Sequence, residues 1–214
     1  MVDDGTGHGS AKLVLIGHGD GARHEAERFI ADRFRSTFGA RASTCYPTIA
    51  AVFDTQGRIA AAAGVRFAEQ APLFLERYLE DAVEQAVAAA FERPVERAAI
   101  VEIGGFAAAS VSNAILLFDA MARWLFAQRR RYAVATVRPE LARLLRHTGF
   151  GLRPMADADA ERLGAEAASW GTYYEAGPRV FAGEIAPAPG PCGRQRPRPH
   201  RTPTPAIDAP EQPA

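Results

Sequence analysis

The stretch that decides the fold class is AAIVEIGGFAAASVSN, residues 98–113. Residues 98–103 form a compact apolar run of strand length, which predicts a buried β-strand. The pair Gly104-Gly105 follows, and Ser112 or Asn113 can cap the helix that comes next. A strand that runs through glycines into a helix N-terminus exposes main-chain N–H groups to a phosphate. A tight strand-to-helix turn would need the same glycines, so both interpretations stay open.

On either side of this stretch, helical and strand-like periodicities alternate. Helices are predicted at 24–38, 73–79, 83–91, 113–126 and 139–147. Strands are predicted at 13–16, 48–53, 59–67, 132–137, 171–174 and 180–185, with a hairpin turn at 54–57. The helix at 113–126 is apolar almost all round, which predicts that it is buried. Strands in a row followed by β-α-β units predict an α/β fold with a mixed sheet and helices on its faces.

Composition excludes several classes of function. Lys and Arg together number 25, as do Asp and Glu, so no net field attracts nucleic acid or anionic lipid. The N-terminal residues 1–12 do not resemble a secretory signal, and no window is apolar for the 18 to 20 residues of a membrane span. Two widely separated cysteines indicate a reducing compartment, and we expect a cytoplasmic protein. His18 and His24 lack partners at ligand spacing, so no metal is predicted.

The C-terminal residues 187–214 differ from the rest in composition. Nine of these 28 residues are proline, and Ile207 is their single large aliphatic residue. Such a segment cannot bury enough apolar area to offset its ordering entropy, so we expect a disordered tail. With a flexible N-terminus at 1–12, this leaves one folded domain at 13–186. The arginines of the tail leave a weak anion-binding arm as an alternative, and a solvated segment is the favoured interpretation.

Three blocks of sequence carry a resemblance to known families. VEIGGFA (101–107) resembles the fourth-strand motif of acyl-homoserine-lactone synthases, which share the fold of the acyl-CoA N-acyltransferase (GNAT) superfamily. Together with LFLERYL (73–79) and WGTYY (170–174), it resembles the thermostable hemolysin family. The resemblance covers residues 22–185. It implies a GNAT-like α/β fold, with a mixed, mostly antiparallel sheet flanked by helices on both faces.

The resemblance also implies a site for the thioester of acyl-CoA, or of the phosphopantetheine on an acyl carrier protein. The strand end would polarise the thioester, and the following loop and helix N-terminus would hold the phosphates. The implied thioester residues are Ile103, Gly104, Gly105 and Phe106, and the implied phosphate residues run from Ala107 through Ser110 and Ser112 to Asn113. The chain departs from the GNAT pattern because no glycine follows Gly105 in this loop. Leu145 also stands where many members carry a catalytic tyrosine.

Three groups of side chains are candidates for chemistry. Glu102, on a buried strand, is either a general base with a raised pKa or the partner of an arginine from helix 24–38. Tyr173 and Tyr174 either donate a proton to the departing thiolate or are core aromatics. A third set either binds the acceptor substrate or forms a solvated helix face. That set is Glu76, Arg77 and Tyr78.

These features support three hypotheses for function. The first is an acyltransferase that moves a fatty acyl group from the thioester to a small amine or hydroxyl acceptor. The second is a membrane-active hemolysin, against which stand the neutral charge and the lack of a basic amphipathic helix. The third is a GNAT-like binding domain without catalytic activity.

Overall fold

The computed structural model describes residues 12–41, 45–147 and 149–186 of the chain. Within these residues, seven β-strands alternate with four α-helices and several 3-10 helices. The strands are β1 (Val14–Ile16), β2 (Thr48–Phe53), β3 (Ile59–Phe67), β4 (Ile100–Ala108), β5 (Tyr132–Val137), β6 (Arg153–Asp157) and β7 (Arg179–Glu184). The α-helices are α1 (Arg23–Phe38), α2 (Val83–Phe91), α3 (Val111–Ala127) and α4 (Pro139–His147). The predicted flexible N-terminus and disordered tail lie outside the described residues, except for Lys12.

The strands form a single sheet in the order β1-β2-β3-β4-β5-β7-β6. Every neighbouring pair is antiparallel except β4 and β5, which are parallel. Alternate residues of β2 show that helices cover both faces, because Ile49 packs with Ala26 of α1 and Ala50 packs with Leu117 of α3. The predicted GNAT-like α/β fold, with its mixed and mostly antiparallel sheet, is confirmed.

The sheet opens between β4 and β5. These strands pair from Ile100 to Glu102, opposite Tyr132 to Val134, and each then continues while paired to its outer neighbour. On the β3 side the register shifts, so that Gly105 and Phe106 lie opposite one residue. Such a bulge bends a strand. Gly105 has φ of +57°, a left-handed conformation that favours glycine.

Three sequence predictions about local structure were wrong. Residues 171–174 do not form a strand, because Gly171 has φ of +56° and a 3-10 helix begins at Tyr173. The helix predicted at 113–126 begins earlier, at Val111, with Ser110 as its N-cap. It is also not buried all round, since Val111 is 61% exposed and Phe126 48% exposed.

Candidate active site

A large cavity of about 500 Å³ occupies the opening between β4 and β5. It reaches both faces of the sheet, since Phe34 comes from α1 on one face and Phe118 from α3 on the other. Most of its lining is apolar. The lining residues are Phe34, Phe38, Ile103, Gly104, Gly105, Phe106, Phe118, Ala133, Ala135, Thr136, Val137, Arg138, Glu140, Leu141, Leu145, Phe150, Leu152, Tyr173, Phe181, Gly183, Glu184 and Ile185. An apolar cavity with few polar groups is the usual form of a small-molecule site.

A small chamber of about 30 Å³ adjoins the large cavity and shares the wall formed by Ile103–Gly105, together with Thr136. This volume is enough for one or two water-sized groups. Aromatic rings and one carboxyl group surround it. The lining residues are Phe34, Tyr46, Phe74, Tyr78, Glu102, Ile103, Gly104, Gly105, Thr136, Trp170, Tyr173 and Tyr174.

Two glycines make room for the ring of Tyr46 in the chamber wall. Gly64 of β3 and Gly104 of β4 are cross-strand partners. A Cβ atom at Gly64 would stand 2.1 Å from Cδ2 of Tyr46, and a Cβ at Gly104 would stand 1.9 Å from its hydroxyl oxygen. The ring therefore lies across both glycines, and its hydroxyl group reaches the point where β4 leaves β5. Because Gly104 has no side chain, the space beside it is filled by Tyr46 of the protein itself.

Glu102 is held by main-chain donors. Its side chain is 3% exposed, and its two carboxyl oxygens accept hydrogen bonds from Phe74 N and Leu75 N, each 3.0 Å long. Arg66 of β3 stands 3.8 Å away, so the arginine partner comes from the sheet rather than from helix 24–38. Burial raises the pKa of Glu102 above its usual value, and the two N–H bonds oppose this effect in part.

The tyrosines predicted to be catalytic both line the chamber. The Tyr173 hydroxyl donates to Thr136 O at 3.1 Å, and the hydroxyl groups of Tyr78 and Tyr174 bond to each other. Burial raises the pKa of Tyr78 to about 12, and it raises the pKa values of Tyr173 and Tyr174 above the usual tyrosine range. All three hydroxyl groups therefore keep their protons at neutral pH.

The three residues predicted to bind the acceptor are not brought together. Glu76 accepts hydrogen bonds from Leu73 N at 2.7 Å and from both terminal nitrogens of Arg97, at 2.7 and 2.9 Å. Arg77 pairs with Glu166 at 2.6 Å. Neither Glu76 nor Arg77 is among the residues that line the large cavity or the chamber, whereas Tyr78 lines the chamber.

The predicted thioester and phosphate segments also separate. Ile103–Phe106 line the large cavity, but Ala107–Asn113 are not among its lining residues. The Ser110 hydroxyl accepts a hydrogen bond from Asn113 N at 3.2 Å and so caps α3. The first turn of α3 follows directly from the strand that forms the cavity wall.

The described residues contain no group of three or more His, Cys, Asp or Glu side chains that could hold a metal ion. Among the same residues, none of the helices combines the length and the apolar character that a membrane crossing requires.

The sequence matches the family model described as thermostable hemolysin over residues 16–188. The chain belongs to the thermostable hemolysin family. Among curated protein sequences, none matches it significantly. The resemblance found in the three sequence blocks is thereby confirmed.

Solved structures with a similar fold include acyl-homoserine lactone synthases. The CoA-dependent synthase BjaI, in its structure with SAM and isopentyl-CoA, superposes with a TM-score of 0.56 at 14% identity, covering 82% of this chain and 84% of that one. The synthase LasI gives 0.55 at 11% identity, with coverage of 82% and 91%. FeeM, an N-acyl amino acid synthase from uncultured soil microbes, gives 0.52 at 14% identity, with coverage of 81% and 91%. Because the sequence identity is so low, these likenesses establish the fold alone.

Sequence reasoning assigned no functional role to Tyr46, Thr136 or Trp170, which line the chamber. Of these, Trp170 lies in one of the three blocks that carry the family resemblance. One sequence feature pointed to Tyr46. Gly64 lies inside a predicted strand, and an isolated strand glycine often marks a close approach of another group.

Proposed function

We propose that this thermostable hemolysin-family protein is an acyltransferase, which moves a fatty acyl group from a thioester to a small amine or hydroxyl acceptor. The observation that carries the proposal is the large apolar cavity between β4 and β5, one wall of which is formed by Ile103–Phe106. Main-chain N–H groups freed where strands separate can polarise a thioester carbonyl. The apolar lining suits a long acyl chain.

The donor is proposed to be acyl-CoA or an acyl carrier protein, both of which present the acyl group on phosphopantetheine. BjaI is described as CoA-dependent, and its structure holds isopentyl-CoA, which supports a CoA donor on the same fold. The N-terminal turn of α3 is proposed to hold the phosphates, because helix N-termini attract anions. Residues 107–113 contain no cationic side chain, so this contact rests on main-chain groups and the hydroxyls of Ser110 and Ser112.

Glu102 is proposed as the base that accepts the proton of the acceptor. It lines the chamber beside the thioester wall, and burial raises its pKa toward the range that suits proton transfer near neutral pH. A carboxyl group that takes this proton becomes neutral as negative charge develops on the nearby carbonyl oxygen. A free, exposed Cys45 is consistent with a reducing compartment, and we place the reaction in the cytoplasm.

The proposal is tested by thermal unfolding of the protein with CoA, acetyl-CoA and dodecanoyl-CoA. A ligand at one hundred times its dissociation constant stabilises the native state by about 2.7 kcal/mol, which raises the melting temperature by a few degrees. We expect stabilisation that grows with acyl length. If none of the thioesters, nor dodecanoyl-pantetheine, stabilises the protein, a donor that binds without a carrier protein is excluded, and a carrier-protein donor or a domain without catalytic activity remains. Erythrocyte lysis by the pure protein then tests the membrane-active alternative.

A further inference from the structure

The hydrogen bonds of the chamber leave particular donors available. The hydroxyl groups of Tyr78 and Tyr174 are bonded to each other, and that of Tyr173 donates to a main-chain oxygen. The Tyr46 hydroxyl lies against Gly104, in the wall that the chamber shares with the large cavity. Trp170 is 6% exposed, and its Nε1–H is buried without a partner. An indole N–H can only donate, and a buried donor without a partner is costly, so this chamber is suited to a ligand oxygen.

The hydroxyl of Tyr46 is held in a defined place. Arg23 donates to Tyr46 O at 2.6 Å, and Arg66 donates to the preceding Cys45 O at 2.6 Å. The guanidinium carbon of Arg66 also lies 5.2 Å from the centre of the Tyr46 ring. Two arginines therefore fix the main chain around Tyr46, while Gly64 and Gly104 fix the plane of its ring.

We propose that Tyr46 is a catalytic residue, whose hydroxyl group donates a hydrogen bond to the carbonyl oxygen of the bound thioester. The inference rests on the acyl transfer proposed above. The Tyr46 hydroxyl contacts Gly104, within the segment proposed to polarise the thioester, and the chamber that both residues line has room for an oxygen-sized group. Trp170 also lines this chamber, and its unpartnered Nε1–H is the second donor proposed for the same oxygen.

In the reaction, the nitrogen or oxygen of the acceptor attacks the carbonyl carbon and forms a new C–N or C–O bond. The π electron pair of the carbonyl moves onto its oxygen, which becomes an oxyanion that accepts a hydrogen bond from the Tyr46 hydroxyl. The pair then returns, the C–S bond breaks, and the sulfur leaves as a thiolate. Glu102 takes the proton of the acceptor and passes it to this thiolate. Tyr46 keeps its own proton throughout.

The surroundings of Tyr46 agree with a donor that is not deprotonated. The residue is 4% exposed, and burial raises its pKa well above the usual tyrosine value, with the charge of Glu102 acting in the same direction. A neutral, preoriented hydroxyl in a site that excludes water stabilises an oxyanion without reorganising.

The test uses the full chain with dodecanoyl-CoA and dodecanoyl-pantetheine, both labelled with ¹³C at the carbonyl. Infrared spectroscopy compares the labelled carbonyl band of free and bound thioester in wild type, Tyr46→Phe and Tyr132→Phe. We expect binding to lower the carbonyl frequency in wild type, and Tyr46→Phe to reverse part of this shift. Tyr132→Phe is the matched control, because it removes another buried hydroxyl of the sheet, bonded to Arg93 away from both cavities. It should behave as wild type.

Tyr46→Phe keeps the ring over the two glycines, and circular dichroism checks that it folds. Trp170→Phe is the second variant and should reverse a further part of the shift. We also expect Tyr46→Phe to lower the rate of dodecanoyl transfer about 100-fold. A bound band in Tyr46→Phe at the wild-type frequency would overturn the role of Tyr46 while leaving acyl transfer intact. If no bound band forms even in wild type, the protein does not bind the acyl thioester of CoA or pantetheine, and the inference falls with that proposed donor.

Discussion

The large cavity and the small chamber meet at Ile103–Gly105 but differ in size and in chemistry. The former measures about 500 Å³ and is lined mainly by apolar side chains, whereas the latter measures about 30 Å³ and contains four tyrosines and a carboxyl group. Both arise from one event, the separation of β4 from β5 after Glu102. A single break in a sheet can therefore create two adjoining compartments of different chemistry, which we propose to bind the acyl chain and to carry the reaction.

The largest effect is expected when the ionisable carboxyl group of the chamber is removed. Glu102→Gln should lower the rate of acyl transfer about 1000-fold, within the range of general base catalysis, because a carboxamide cannot accept the proton. Dodecanoyl transfer from dodecanoyl-CoA to a mixture of amino acids and small amines, followed by mass spectrometry, measures the effect. Glu69→Gln, which affects an ion pair with Arg130, is the control and should retain activity. Full activity in Glu102→Gln would remove this residue from the mechanism.

The second test adds a side chain at Gly104, where Tyr46 packs against the strand. Gly104→Ala places a Cβ atom 1.9 Å from the Tyr46 hydroxyl oxygen, so the ring or β4 must move. We expect a loss of about 3 kcal/mol in the free energy of unfolding, measured by denaturant titration. Gly183→Ala, where the nearest atom would be 3.4 Å away, should cost much less. Equal losses in both variants would show that the Tyr46 contact is not what restricts Gly104.

The third test changes the large cavity and leaves the chamber as it is. Ala135→Phe fills volume where the acyl chain is proposed to lie. Losing the burial of about three methylene groups, at about 0.8 kcal/mol each, should weaken dodecanoyl-CoA binding about 50-fold relative to hexanoyl-CoA. Isothermal titration of both ligands measures the ratio. Ala122→Phe on α3, away from both cavities, should leave the ratio unchanged, and an unchanged ratio in Ala135→Phe would place the chain elsewhere.

The smallest effect compares two carboxyl groups at the 3-10 helix Phe74–Tyr78: Glu76 belongs to this helix, and Glu102 accepts hydrogen bonds from its first two N–H groups. Arg97 holds the pKa of Glu76 below its ordinary value of 4.5, whereas burial raises that of Glu102. Ionised Glu76 therefore stabilises the protein above pH 4.5, and this stability is lost as the pH falls through its folded pKa. The ionisation of Glu102 has the opposite effect on stability. It lowers the free energy of unfolding as the pH rises from 4.5 through the folded pKa of this group.

Glu76→Gln should therefore lower the free energy of unfolding by about 1 kcal/mol at pH 7, because the pair with Arg97 is partly exposed to solvent. The difference from wild type should shrink as the pH is lowered below 4.5. Denaturant titrations across this range measure it. Asp32→Asn, which removes a well-exposed pair with Arg35, should show little change at any pH. A difference that does not depend on pH would mean that Glu76 acts through packing instead of charge.

Much of the fold could be predicted from sequence because the periodic segments are long and distinct. The hairpin of β2 and β3, helix α4 and strand β5 were predicted with the bounds that the structure has. Strand β6 was missed because its residues, RPMAD, are largely exposed and carry little strand-forming pattern. The 3-10 helix at Tyr173–Ala176 was mistaken for a strand because Tyr and Thr favour strands, whereas the preceding Gly171 has φ of +56° and lies close to the main-chain oxygen of Phe38.

The candidate site was predictable in part, for a different reason. The motif placed Ile103–Phe106 at the cavity wall, since this segment forms one continuous strand. Tyr46 is more than fifty residues away in sequence, and its meeting with Gly104 depends on sheet register, which no local pattern encodes. Glu76 was assigned to acceptor binding from its neighbours alone, and its bond to Arg97 is equally non-local.

The contact of one tyrosine with two facing glycines has a consequence for how this family can diverge. Gly64 and Gly104 cannot acquire side chains while Tyr46 is present, so substitutions at the three positions are epistatic. A lineage must first shorten residue 46 and only then fill the strand positions. Alignments of the family should therefore show the aromatic residue and the paired glycines inherited or lost together.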